Sequence, residues 1–258
     1  MESNARVLAG ETIGTALLII GGVGTAVLSA GIGTIGIALA FGLAMIVAAV
    51  VVGHASGAHL NPAVTLAMVL ARKTKPAQLP FYLLGQVLGA TIGGLAVWGI
   101  ASGVDGFSAT NNFFTNGWDR FSPGGYGIGA VIVVEIVFTA IWVAVVLSTE
   151  HQGVSPTASV VSVGGVVALL HLATLSIDNG GLNPVRSIAT AIFGGTDALT
   201  QLWVFIVFPL VGSVIGTLVW LAVDDARLEG TMLANPTLVR ARDLADRAAD
   251  SVIDAIDD

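Results

Sequence analysis

Six long apolar stretches separated by short polar runs organise the chain: roughly residues 7 to 30, 34 to 53, 81 to 101, 127 to 148, 159 to 177 and 200 to 223. Each is close to the length of about 20 residues that a helix needs to cross a bilayer, so the pattern predicts six spanning helices. Two further apolar runs, about 62 to 70 and 184 to 193, are too short to cross, and each begins with Asn-Pro. Asn is a favoured N-cap and Pro a favoured first helical residue. Asn61, Pro62 and Ala63, and again Asn183, Pro184 and Val185, therefore predict the starts of two half-helices. The segments before them, GHASGAH and SIDNGG, are Gly-rich. Irregular backbone at membrane depth is tolerated only against protein or a watery cavity, so these segments are expected to line a pore.

The pattern also repeats. SGAHLNPAVTLA (56 to 67) matches NGGLNPVRSIAT (179 to 190) when Asn61 is set on Asn183, a shift of 122, and LGATIGGLAVW (88 to 98) matches VGSVIGTLVW (211 to 220) with Gly89 on Gly212, a shift of 123. GETIGTALLI (10 to 19) lies over VEIVFTAIWV (134 to 143), pairing Glu11 with Glu135 and Thr15 with Thr139. Two halves of three spans each, about 7 to 102 and 127 to 223, must run through the membrane in opposite senses because three is odd. The expected fold is an all-α membrane protein with six transmembrane helices and two half-helices in two inverted three-helix repeats. Inversion brings the half-helices in from opposite faces, so that their N-termini meet near the midplane.

Composition agrees: 55% of the 258 residues are hydrophobic and only 10% charged, far below the charge content of a soluble domain. Residues 1 to 223 are expected to form the channel domain. The formal charge of −7 is uneven, because residues 224 to 258 hold nine acidic and four basic side chains, a net of −5. This acidic tail has its own Asn235-Pro236 and predicts a surface helix from about 236. The N-terminus lacks the pattern of a cleavable signal, since Glu11 interrupts the first apolar stretch. Lys and Arg set topology. With the N-terminus inside, Arg6, Arg72, Lys73, Lys75 and the four tail arginines are cytoplasmic, leaving Arg120 and Arg186 toward the outside. Both termini are therefore expected in the cytoplasm and the protein in the cell membrane.

The chain has no Cys and its four His are scattered, so no metal site or cofactor is expected. It lacks a phosphate-binding Gly loop, a nucleophile with a paired base, and a basic stripe for nucleic acid. An enzyme is not expected. Glu11 and Glu135 are intramembrane carboxylates, functional candidates by default. One reading is a proton relay; the preferred one is structural, with the pair accepting hydrogen bonds from amides of the two irregular loops. Gly85, Gly89 and Gly93, like Gly212 and Gly216, recur every four residues and are assigned to close helix packing. Phe113, Phe114 and Trp118, in the loop after the third span, are expected at the membrane interface.

The two Asn-Pro motifs, the early-span glutamates and the Gly pairs together resemble the aquaporin family, the major intrinsic proteins, over residues 7 to 223. The resemblance implies a constriction near the outer mouth at Phe41, His171, Gly180 and Arg186. Phe41, His171 and Arg186 resemble the water-selective branch, as do Ser187, Ala191 and Phe205. Ile206 departs from it, Gly180 is smaller than the usual residue and is expected to relax the filter, and Val185 stands where Ala is usual. The implied function is a passive, bidirectional water channel that excludes protons and ions, assembled as a homotetramer. The alternatives are a channel for small neutral solutes such as glycerol or ammonia and, in a different class, an ion-coupled secondary transporter, since inverted repeats and broken helices serve there too.

Overall fold

A computed structural model describes residues 3–223 and 231–232. Ten α-helices are described: α1 Asn4–Leu28, α2 Gly33–Ser56, α3 Pro62–Leu70, α4 Leu79–Ala101, α5 Ala109–Asn112, α6 Ile128–Thr149, α7 Pro156–Asp178, α8 Pro184–Gly194, α9 Thr196–Gln201 and α10 Val204–Val223. Six stretches of the described residues are helical, long and apolar enough to cross a membrane, and α3 and α8 are the two half-helices that begin with Asn-Pro. Caps set where several of them begin. Ser3 accepts from the Arg6 amide ahead of α1, and Ser155 accepts from Ala158 ahead of α7, whose first residue is Pro156.

Around the bundle, α1 packs on α2 and α4, and α6 on α7 and α10, while α2 against α7 joins the two groups. Each half-helix crosses over: α3 packs mainly on α10 and α8 mainly on α4. The α1/α4 and α6/α10 contacts are close because glycines line them. A Cβ on Gly85 would lie 2.7 Å from the Leu8 carbonyl oxygen, and one on Gly216 2.5 Å from that of Ala140. Gly89 sits against Thr15 as Gly212 sits against Thr139, so the two groups use the same paired residues.

A methyl at Gly89 would press into the Thr12 carbonyl, and such overpacking costs about 1–3 kcal/mol. Gly89→Ala is therefore expected to lower the melting temperature in detergent. Gly99→Ala in the same helix is the control, because nothing lies within 4 Å of a Cβ there. Equal melting temperatures for the two variants would contradict the packing assignment.

Polarity is arranged for a lipid solvent. Leu43, Val50, Leu95 and Leu169 are exposed on the outer surface, whereas Glu11, Gln86, Glu135, Asp178 and Arg186 are buried.

The loop after α4 corrects one expectation, because its aromatics turn inward instead of resting at the interface. Phe113 is buried against Phe193, with ring centroids 4.7 Å apart, and Phe114 lies near Arg186 and Phe41. Trp118 packs partly buried on Val131, Val204 and Phe205. Hydrogen bonds cause this. Asn179 donates to the carbonyls of Thr115 and Phe121, Asn116 donates to that of Asp178, and an Arg120–Asp197 ion pair fastens the loop to α9.

The Met232 amide donates to the Leu70 carbonyl at 2.7 Å, satisfying one of the carbonyls that the end of α3 leaves open. The expected tail helix from about 236, with Asn235 and Pro236, lies outside the described residues.

Candidate pore

The two Asn-Pro motifs meet in the interior. Asn61 caps α3, its Oδ1 accepting from the Ala63 amide at 2.8 Å. Asn183 caps α8 in the same way, accepting from the Val185 amide at 3.1 Å. Each also reaches across. Asn61 Nδ2 donates to the Leu182 carbonyl and Asn183 Nδ2 to the Leu60 carbonyl, both at 2.9 Å. A side-chain amide carries two hydrogens, so each Asn keeps one more to donate. Val185 is fully buried at this junction in one apolar cluster with Leu60, Val64 and Leu182.

The carbonyls reach their partners because both leucines are left-handed, Leu60 at φ 53° and Leu182 at φ 59°. Non-Gly residues in that region carry strain of order 1–3 kcal/mol and persist only when their surroundings over-determine them. Here the over-determination is visible. While the opposing Asn holds each leucine's carbonyl, a glutamate holds its amide: Leu60 donates to Glu11 Oε2 at 2.7 Å and Leu182 to Glu135 Oε2 at 2.9 Å. Glu11 also accepts from Ser56 Oγ at 2.7 Å, the His59 amide at 3.0 Å and Gln86 Nε2 at 2.7 Å. Its two oxygens thus serve four donors. Among the described residues Glu135 accepts from the Leu182 amide, and its carboxyl group also pairs with that of Asp178.

The four expected constriction residues lie together. Phe41 and His171 stack with centroids 4.1 Å apart, and the Arg186 guanidinium carbon is 5.7 Å from the Phe41 ring and 5.0 Å from that of Phe114. Gly180 adopts φ +65°, and a Cβ there would lie 2.7 Å from His171 Cδ2. The imidazole therefore fills the space that a larger residue at 180 would take, so the smallness of Gly180 does not leave an open gap beside His171. His171 Nδ1 bonds the Val167 carbonyl at 2.8 Å. A carbonyl only accepts, so Nδ1 carries the proton and Nε2 of the neutral ring is an acceptor. Arg186 donates to Asn116 Oδ1, to Thr190 Oγ1 at 3.3 Å and to the Asn179 carbonyl at 2.7 Å. His171 Nε2 and Arg186 Nε are buried and meet no protein partner among the described residues.

A cavity lies on each side of this layer. One, of about 260 Å³, is lined by Ala26, Phe113, Phe114, Thr115, Arg120 and Asn179. The other, of about 240 Å³, is lined by Met45, Ala49, Gly53, His59, Trp142 and Val163, among others. Counting spans from the N-terminus puts the first on the face where α1 ends and the second on the face where α2 ends. Phe41, Met45, Ala49 and Gly53 follow at intervals of four and so share one face of α2. That spacing is visible in the sequence. Gln86 and Ser213 were missed. Gln86 bonds Glu11 and Thr65, and Ser213 donates to the Ala63 carbonyl at 2.6 Å; isolated polar side chains in apolar spans were the signal.

Six spans around two capped half-helices, with polar loops between opposed cavities, define a multi-pass membrane channel. The chain belongs to the major intrinsic protein family, whose profile, described as Major intrinsic protein, matches residues 1–220. It is 41% identical over 218 residues to Aquaporin Z of Brucella melitensis, covering 83% of this chain and 95% of that one. Aquaporin Z of Photorhabdus laumondii is 39% identical over 217 residues, with 82% and 94% covered. The X-ray structure of the aquaglyceroporin from Plasmodium falciparum superposes with a TM-score of 0.69 at 25% identity, over 84% of this chain and 96% of that one.

Proposed function

We propose that the protein is a passive, bidirectional water channel that excludes protons and ions. The observation that carries this reading is the reciprocal clasp, Asn61 to Leu182 and Asn183 to Leu60, which holds two helix N-termini at one point. Each terminus carries roughly half a positive charge, and each Asn retains a hydrogen to donate. A water molecule passing there turns its oxygen to both amides. It then cannot accept a proton from one neighbour in the file while donating to the other, so proton hopping stops.

At the constriction of Phe41, His171, Gly180 and Arg186, the Arg adds a full positive charge, as in aquaporin-type pores generally. The acceptor at His171 Nε2 and the donor at Arg186 Nε suit a single water, and neutral water sheds little hydration there. In this reading Glu11 and Glu135 hold the loops and take no part in permeation. Residues 1 to 223 form the channel domain and 224 to 258 an acidic tail. Both termini lie in the cytoplasm of a cell-membrane protein that assembles, as the family resemblance implies, into a homotetramer with one pore per subunit.

Stopped-flow light scattering on proteoliposomes is the test. An osmotic step should shrink loaded vesicles faster than empty ones, with a low activation energy, and equal rates would overturn the reading. Glycerol gradients test the small-solute alternative. Flux that requires a proton or sodium gradient would instead indicate a coupled transporter.

A further inference from the structure

We infer that Asn116, in the loop between α5 and α6, is a positioning residue that seats the Arg186 side chain and thereby sets the selectivity of the constriction. The inference rests on the assignment of Arg186 to that constriction.

Asn116 is only 3% exposed, although it belongs to a loop. Its Oδ1 accepts from Arg186 Nη1 and from Ser187 Oγ, the latter at 2.9 Å, and its Nδ2 donates to the Asp178 carbonyl at 2.7 Å. One side chain therefore joins the end of α7, the first turn of α8 and the outer loop. The other bonds of Arg186 come from its own neighbourhood. Thr190 lies one turn along α8 at the longer distance of 3.3 Å, and the Asn179 carbonyl holds Nη2. Nη1 without Asn116 would keep only the Thr190 hydroxyl. The guanidinium could then pivot about Nη2 across Phe41 and Phe114, changing the aperture.

The loop backbone is anchored separately, because Asn179 Nδ2 donates to the Thr115 carbonyl at 2.8 Å. Losing the Asn116 side chain therefore frees the arginine without releasing the whole loop. Hydrogen bonds to charged groups are the strong ones, and loss of one shifts the seated population by about 10-fold or more.

The test compares wild type, Asn116→Ala, Asn116→Asp and Arg186→Ala in proteoliposomes, reading water and glycerol permeability per reconstituted protein together with melting in detergent. Asn116→Asp keeps an oxygen for Arg186 and Ser187 but cannot donate to the Asp178 carbonyl. The expected result is a glycerol-to-water ratio raised several-fold in Asn116→Ala and returned close to wild type in Asn116→Asp, although both variants melt lower. Equal ratios in Asn116→Ala and wild type, or equally altered ratios in Ala and Asp, would overturn the inference in favour of a loop anchor. If Asn116→Ala does not reconstitute, Asn116→Ser is used, its hydroxyl too short to reach Arg186. An unchanged ratio in Arg186→Ala would instead overturn the constriction assignment itself.

Discussion

Arg186→Ala is expected to raise glycerol permeability at least 10-fold and to admit monovalent cations, while water permeability is maintained or increased. The side chain is 1% exposed, its guanidinium carbon 5.7 Å from the Phe41 ring and 5.0 Å from that of Phe114. Its removal widens the passage and deletes a fixed positive charge. Two unit charges 4 Å apart at an effective dielectric of about 20 interact by about 4 kcal/mol, which corresponds to about 1,000-fold in rate by the usual conversion. The half-charges at the α3 and α8 N-termini remain, so proton conduction should rise less than sodium or potassium leak. Vesicle swelling in glycerol and a potential-sensitive dye read the two effects. A glycerol-to-water ratio equal to that of the wild type would sink the role given to Arg186, and a proton leak exceeding the cation leak would sink the barrier assigned to the Asn pair.

The parts of this fold that the sequence made legible are those on which the bilayer leaves little choice. A span needs a minimum apolar length, and a half-helix at membrane depth needs a cap; Asn61-Pro62 and Asn183-Pro184 announce both. The offset between the motifs, with Glu11 over Glu135, exposed the two-fold pattern without any coordinates. What stayed hidden depends on the path of loops. Phe113 and Phe114 look like interfacial aromatics until Asn116 and Asn179 draw their loop inward, and no periodicity marks Asn116 as a partner of Arg186, 70 residues away. The sequence likewise carries no sign that the His171 ring packs against Gly180. The left-handed leucines were also invisible, because Leu gives no local signal for φ near +55°; only the clasp and the two glutamates hold them there.

The unequal surroundings of those glutamates lead to the second large effect: Glu11→Ala is expected to abolish stable folding, Glu11→Gln to weaken it, and Glu135→Gln to be tolerated. Removing the Glu11 carboxylate takes the acceptor from the Ser56 hydroxyl, the His59 and Leu60 amides and the one Gln86 hydrogen not held by Thr65, in a fully buried site. Each unsatisfied donor costs about 1–3 kcal/mol, so four of them rival the typical net stability of about 5–15 kcal/mol. A glutamine at 11 keeps one acceptor oxygen but turns an NH₂ toward groups that already donate at each of the two oxygens. A glutamine at 135 meets different company. Its oxygen can still receive the Leu182 amide, and its NH₂ faces the carboxyl group of Asp178. The exchange replaces the proton that the two buried carboxyl groups share with a permanent NH₂ donor to Asp178. Tryptophan-fluorescence melting in detergent should therefore rank wild type and Glu135→Gln together, Glu11→Gln several degrees lower, and Glu11→Ala as unrecoverable or aggregated. Equal melting temperatures for the two Gln variants would show that the donors counted around Glu11 do not control the stability of the first loop.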